Sequence, residues 1–378
     1  MSMGRELPRR LLAGLVRPSD DREEAFKLSP VRFVAVGAGY RGQVNAEALA
    51  SCPATTLEAV VDPDRSAAVA LARKLRVPHY RALDEALEND DVEAAFITVP
   101  HDLLAPLSVR TAHSRRHVFV EKPAAVSLEE VEGVISECIR QGVELTANYW
   151  YRETPGFRLA RDLVVEEDAL GRLIGVESRV HEHKSLAYWV GNTGVPGGDW
   201  RASRERSGGG LLMMAAIHAL DYIRFVTACD VERIYSEHGS LATPGGVEDT
   251  FSSSFRMTNG AVGSLTTSLN MRGSRLEDLT IWGDRGTMRM NPPTLELYST
   301  RRTSLGRPGR WHRARFAGDW GKPAIRRHLL SFARQIRTGS ACSVSPRDIW
   351  EMLAVATAAS ASSERGEAVL LDRSAAPA

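Results

Sequence analysis

The sequence predicts an α/β fold in two parts. A Rossmann-type, doubly wound parallel sheet comes first, followed by an α+β region on a large open mixed or antiparallel sheet. Three observations predict it. The apolar stretch Val31, Phe33, Val34 and Val36 runs into Gly37, Gly39 and Gly42 at G-x-G-x-x-G spacing, and a helical pattern with Val44, Ala48 and Leu49 follows at once. Strand and helix patterns then alternate to about Ala147, as a parallel sheet with crossover helices requires. Beyond it, many short alternating strands follow one another with turn signals between them, which argues a second layer of different style.

The glycine loop reads as a dinucleotide site. Gly37 permits a tight turn, Gly39 carries no Cβ to hold the backbone off a pyrophosphate, and Gly42 lets helix and strand pack closely. The free N–H groups of the following helix would face the phosphates, with Tyr40 and Arg41 inside the loop. A second strand, Leu57 to Val61, ends in Asp62, 20 residues after Gly42. That carboxylate suits a ribose 2′-hydroxyl and repels a 2′-phosphate, which favours NAD. Arg65 is close enough in sequence to shield a phosphate, so NADP stays open.

The remaining elements of the first part fall in order. A helix is expected over Arg65–Leu75, an extended pair at His79-Tyr80 and a helix over Ala82–Glu88. The buried-type strand Ala94–Val99 stops at Pro100, helix Leu103–Ala112 follows, and strand His117–Val120 ends in Glu121-Lys122-Pro123. Helix Ser127–Arg140 and strand Val143–Ala147 close the set. Ligands of such sheets gather at the carboxyl ends of strands. Thr98, Pro100, His101, Glu121 and Lys122 are therefore expected with Asp62 around the cofactor. The boundaries read as a polar, Arg-rich leader over 1–30, a cofactor region over 31–148 and a substrate and oligomerisation region over 149–372. The leader is either a loose tail or an arm on a neighbouring subunit, and its apolar part Leu11–Val16 is too short for a signal-peptide core.

Composition narrows the classes. At 378 residues the chain suits two cores, and 43% hydrophobic with 25% charged residues is ordinary globular usage. A formal charge of +1 gives no electrostatic reason to expect nucleic acid. Cys52, Cys138, Cys229 and Cys342 are scattered without a C-x-x-C, which suggests neither a disulfide framework nor a zinc site. No apolar run reads as a membrane span, so a reducing cytoplasm is expected.

Two residues are candidates for proton chemistry. Lysine is rare here, at positions 27, 74, 122, 184 and 322 only, among 48 Lys plus Arg. Lys122 at a strand end could polarise a substrate oxygen or exchange its proton, or it could simply pair with Glu121 at the surface. Further on, Gly208-Gly209-Gly210 opens an almost continuously apolar helix within Ser207–Val226 whose polar residues include His218 and Asp221. In isolation His218 reads as a buried neutral histidine held by a hydrogen bond. Trp200-Arg201 lies in a Gly-rich loop of the kind that covers sites, with Arg201 either holding a substrate group or facing water. His181 and His183 share a strand face, but no third ligand has recognisable spacing, so no metal is expected.

The glycine loop, Asp62, the segment Thr98–Pro100 and HVFVEKPAAVSLEE resemble the Gfo/Idh/MocA oxidoreductases. So do ANYWYRETPGF with Asn148, Arg152 and Pro155, LGRLIGVES, and SGGGLLMMAAIHALDYIRF, over about Val31 to Leu371. The resemblance implies a nicotinamide-binding Rossmann domain, an open-sheet domain, and a sugar or cyclitol substrate between them. It implies that Lys122 and His218 are catalytic and that Tyr149, Arg152, Trp200 and Arg201 join them around the substrate. Many members carry Asp four residues before the histidine, where this chain has Met214, and histidine after the T-P motif, where it has Leu104. Without the acid, either Lys122 carries more of the proton transfer or Asp221 or Tyr149 supports His218.

Strand patterns are expected at 173–183, 233–238, 250–257, 261–269, 279–282, 286–290 and 295–299, with helices over 324–337 and 348–364. With more strands than helices to cover them, residues such as Val262, Leu265 and Leu269 call for cover. The resemblance implies back-to-back pairing of these sheets into a homodimer or homotetramer. The expected function is NAD(P)-dependent hydride transfer at a hydroxyl-bearing carbon of a sugar, cyclitol or related polyol. A glycosidase or lyase working through transient oxidation, and a dinucleotide-binding regulator without turnover, are the alternatives.

Overall fold

The structure is a computed structural model that describes residues 28–191, 199–243, 246–273, 275–316 and 321–377. The leader expected over 1–30 lies almost wholly outside them.

Strands β1 (Val31–Val36), β2 (Thr55–Val61), β3 (His79–Tyr80), β4 (Ala94–Ile97), β5 (His117–Val120) and β6 (Leu145–Ala147) form one parallel sheet in the order β3-β2-β1-β4-β5-β6. They alternate with α1 (Tyr40–Ser51), α2 (Arg65–Leu75), α3 (Leu83–Leu87), α4 (His101–His113) and α5 (Leu128–Gln141). Sequence supplies the punctuation. Asp64 caps α2 by accepting from Ser66 N and Ala67 N, and Ser127 caps α5 through Glu130 N. Gly142 ends α5 in the left-handed conformation, where a Cβ would be strained. The order reverses beside β1, the crevice where such sheets bind ligands. Backbone bonds continue past the strand ends: Gly37 N to Val61 O, Thr98 N to Val36 O, Glu121 N to Ile97 O and Asn148 N to Val120 O. Gly37, Thr98, Glu121 and Asn148 thereby form a row along the carboxyl edge.

The second sheet has nine strands, from β7 (Leu173–His181) and β8 (Val231–Gly239) through β9 (Thr250–Met257), β10 (Val262–Ser268), β11 (Leu276–Gly283), β12 (Gly286–Asn291), β13 (Thr294–Ser299) and β14 (Trp311–Arg315) to β15 (Val369–Leu370). Its order is β14-β13-β12-β11-β7-β10-β9-β8-β15, antiparallel except where β10 runs parallel to β7. Strands β14 and β15 escape the sequence patterns, one because it is mostly polar and exposed, the other because it is two residues long. The helices of this half are α6 (Pro155–Arg161), α7 (Leu186–Val190), α8 (Arg204–Ser207), α9 (Ile217–Thr227), α10 (Lys322–Thr338) and α11 (Pro346–Arg365). A capping box, Ser345 with Asp348, starts α11.

Strict alternation along β9 buries Phe251, Ser253, Phe255 and Met257 under the helices and exposes Ser252, Ser254 and Arg256. Leu265 and Leu269, expected to need cover from another subunit, are already buried within the chain. The exposed apolar residues of the outer face include Val262, Tyr235 and Trp311. Late helices return to the first sheet. His328 and Phe332 of α10 are fully buried, with Phe332 edge-on to Phe119 at 5.5 Å and His328 bonded to Thr146 at 3.1 Å. One helical stretch among the described residues, Arg204–Thr227, has the length and apolarity of a membrane span, which the sequence reading did not expect. It is the central helix of the second core, with 72% of its apolar window buried in the fold.

Candidate active site

The glycine loop has the shape its composition requires. A Cβ on Gly37, whose φ is +101°, would stand 1.9 Å from the Thr98 carbonyl oxygen, and one on Gly42 would stand 2.0 Å from that of Gly37. Gly39 is different, because nothing lies within 4 Å of the place its Cβ would occupy. It is the N-cap of α1, with no side-chain cap and no acid in the first turn, so the leading N–H groups are left for an anion. The loop therefore fits a pyrophosphate. Asp62 closes one side of it, accepting from Ala38 N at 2.7 Å and Asp64 N at 2.8 Å.

Glu121 anchors the other side. Its Oε1 accepts from Asn148 Nδ2 at 2.7 Å, Asn45 Nδ2 at 2.9 Å and Arg41 Nε at 3.3 Å. Asn45 also donates to Thr98 Oγ1 at 3.0 Å, which ties α1 to β4 and β5. Sequence reasoning assigned no site role to Asn45. The available signal was an amide among the apolar residues Val44, Ala48 and Leu49 of a core-facing helix.

The alternative reading of Lys122 as a surface partner of Glu121 does not hold. Its Nζ donates instead to the carbonyls of Met214, at 2.9 Å, and Met213, at 3.3 Å, across the cleft in the other half of the chain. Those carbonyls belong to a π-helical turn, Leu212–Ala216, that leads into α9. Burial pushes the Lys122 amine down and Arg41, Lys184 and Arg201 push it further, against the pull of Glu121, leaving it at about 8. At the position where the acid was missed, main-chain oxygens thus meet the ammonium.

Glu248, also missed, holds that turn in place. It is buried, and its Oε1 accepts from Gly210 N at 2.7 Å and Leu212 N at 3.2 Å. A Cβ on Gly210 would lie 2.1 Å from the Glu248 carbonyl oxygen, which explains the third glycine of the triplet.

His218, the second residue of α9, sits against Tyr151, Tyr149 and Trp150, with ring centroids at 5.2, 6.2 and 6.3 Å. This surrounding desolvates the imidazole, and Lys122, Arg41 and Arg275 add positive charge, so its pKa falls well below the ordinary value. The ring is neutral at physiological pH, and its Nδ1 has no hydrogen-bond partner among the described residues. The two supports considered for it fare differently. Asp221 is turned away, bonded to Arg152 at 2.6 and 2.9 Å. Tyr149 is fully buried edge-on to the ring, its hydroxyl unpartnered among the described residues.

Arg152, expected beside the substrate, is instead locked in a buried ion cluster with Asp221 and with Asp348 at 3.1 Å. Burial raises the Asp221 carboxyl to about 6 even against the Arg152 charge. Burial acts the same way on Asp348, but Arg152 and Arg224 outweigh it and hold that carboxyl below the usual range. His101 and Trp200 come together, with ring centroids 4.6 Å apart. The Nδ1 of His101 lies 2.8 Å from the Ser207 carbonyl, which makes it the donor of a neutral ring, and burial beside Lys122 lowers its pKa to about 3. Arg201 pairs with Asp199 at 2.8 Å and lies over the Trp200 ring at 4.5 Å, so it is neither free nor simply solvated. Pro100 is the N-cap of α4, directly before His101, and Tyr40 is 84% exposed at the loop mouth. Among the described residues, no group of three His, Cys, Asp or Glu side chains could hold a metal ion.

An open glycine loop at the switch point of a parallel sheet, facing a desolvated lysine and a neutral histidine, defines the class of NAD-binding oxidoreductases. Known proteins agree. Residues 31–149 match the model of the oxidoreductase family with an NAD-binding Rossmann fold, and residues 157–289 match the GFO/IDH/MocA C-terminal domain. The chain belongs to the Gfo/Idh/MocA oxidoreductase family. It is 24% identical over 316 residues to the uncharacterized oxidoreductase YrbE of Bacillus subtilis, covering 80% of this chain and 85% of that one. It is 26% identical over 218 residues to 2,7-anhydro-N-acetylneuraminate hydratase of Mediterraneibacter gnavus, where the match covers 58% of this chain and about half, 55%, of the relative. A levoglucosan dehydrogenase solved with NADH has the same fold, at a TM-score of 0.80 and 19% identity over 91% of this chain and all of the other.

Proposed function

We propose that the protein transfers a hydride between NAD and a hydroxyl-bearing carbon of a sugar, cyclitol or related polyol. The observation that carries this reading is the Lys122 amine, at about 8, at a strand end beside a neutral imidazole. The first part, 31–148, would hold the cofactor through the glycine loop, Asp62 and the Glu121 network, and residues 149–372 would supply the substrate's side of the cleft. Bound NAD supplies the hydride acceptor, and the alcohol must lose its hydroxyl proton in or near the same step. Lys122 suits that proton, because an amine of this pKa exchanges one near neutral pH. His218 is a poorer proton acceptor but a good hydrogen-bond partner, suited to orienting the hydroxyl. The test is NADH formation across a panel of sugars, cyclitols and anhydrosugars, with and without Lys122→Ala. Full turnover by that variant would sink the proton path.

Two observations favour a second reading, in which oxidation is transient and drives elimination or hydration with the cofactor retained. Met214 leaves His218 without an acid, and a hydratase stands among the relatives. Its mark is substrate loss without net NADH formation, from protein that carries its cofactor through purification. Tight NADH binding with no turnover of any kind would point to a regulator instead.

We also propose that the outer face of the nine-stranded sheet pairs with a second copy, through exposed residues such as Val262, Tyr235 and Trp311. Light scattering giving the mass of a single chain at micromolar concentration would refute this. The four cysteines are free thiols, which suits the reducing cytoplasm proposed for the chain.

A further inference from the structure

A cavity of about 490 Å³ lies apart from the glycine loop, Lys122 and His218, with none of them in its wall. Its charged lining is Arg152, Arg161, Arg224 and Arg347 against Asp230 and Asp348 only. Those two carboxylates are shared. Asp348 bonds Arg224 and stands 3.1 Å from Arg152, and Asp230 stands 2.5 Å from Arg224 but 3.7 Å from Arg347. Arg161 makes no ion pair among the described residues, though its charge acts on the adjacent Asp162 carboxyl. It donates to the Phe225 carbonyl at 2.5 Å and covers the Phe225 ring at 5.0 Å.

The shell behind cancels only part of this excess. Asp221 is spent on Arg152, and Glu351, 3.9 Å from Arg347, is held by Arg373 at 2.8 Å. Ser343, another residue of the wall, has a hydroxyl without a hydrogen-bond partner among the described residues.

With Asp221 taken up by Arg152, three guanidiniums are left to two carboxylates, a surplus that calls for an anion, and guanidinium forks match phosphate oxygens. A phosphomonoester is close to dianionic at neutral pH. The cavity is larger than a phosphate needs, and Phe225 offers an apolar wall for an attached organic part. We propose that this cavity binds the phosphoryl group of a small phosphorylated compound, at a site separate from the dinucleotide crevice.

Calorimetric titration at fixed ionic strength tests it, with NADH saturating so that the glycine loop is already filled. The probes are inorganic phosphate and glucose 6-phosphate. The expected result is saturable binding that Arg161→Ala and Arg347→Ala each weaken about tenfold. A tighter fit for the ester identifies an organic phosphate as the occupant, and equal affinity identifies free phosphate. Should Arg161→Ala fail to fold, Arg347→Ala still carries the test, since that side chain is 44% exposed. No saturable binding of either probe, or binding that neither variant changes, overturns the proposal.

Discussion

Replacing Lys122 with methionine separates a functional amine from a structural one. Its pKa of about 8, against 10.5 for the free side chain, means the fold disfavours the ammonium by about 3 kcal/mol. Solvent reaches part of the side chain, so this figure is an upper bound. A lowered amine binds fewer protons in the folded than in the unfolded state. Its cost is therefore full below pH 8 and is relieved as pH rises from 8 through 10.5. Methionine removes that cost but strips a donor from the carbonyls of Met213 and Met214, at about 1 kcal/mol each. The balance is a variant about 1 kcal/mol more stable at pH 7, with an advantage that is gone by about pH 9 and reversed above it. Urea unfolding at a series of pH values reads both features. Turnover should fall roughly 10²–10⁴-fold while NADH binding stays within a few-fold. A variant less stable than wild type at pH 7, with an unchanged pH profile, would refute the reasoning and make the ammonium a strut.

Three further outcomes follow from the same geometry. Asp62→Ala should erase a preference for NADH over NADPH of about tenfold, about 1.4 kcal/mol, read by fluorescence titration; NADPH bound tighter by wild type would reverse the assignment. Arg152→Met leaves Asp221 buried and unpaired, so it should cost about 3–5 kcal/mol in denaturation, and Arg152→Met with Asp221→Leu should recover part of it. Met214→Asp places a carboxylate beside Lys122 and on the face of His218, so it should raise the apparent basic pKa of the pH–rate profile; an unmoved profile would show that neither group titrates in turnover.

Much of this protein was legible in the sequence because the signals are local. The glycine spacing, the acid 20 residues on and the strand-end Glu121-Lys122 all sit within one βαβ unit or at one strand end, where backbone geometry leaves little freedom. Alternation likewise announced most strands of the second sheet, since burial on one face imposes a period of two. Tertiary packing alone decided which polar groups meet. Arg152 reads like a substrate ligand until Asp221 and Asp348, 69 and 196 positions away, close on it. Lys122 reads like a partner of its neighbour Glu121 until the turn before α9 brings two carbonyls from about ninety residues away. Leu265 and Leu269 call for a second subunit until the chain's own packing buries them. The physical reason is common to all three. Hydrophobic pattern specifies which face of an element is buried, but the partner of a desolvated charge depends on which elements pack against that face. That choice belongs to the assembled fold.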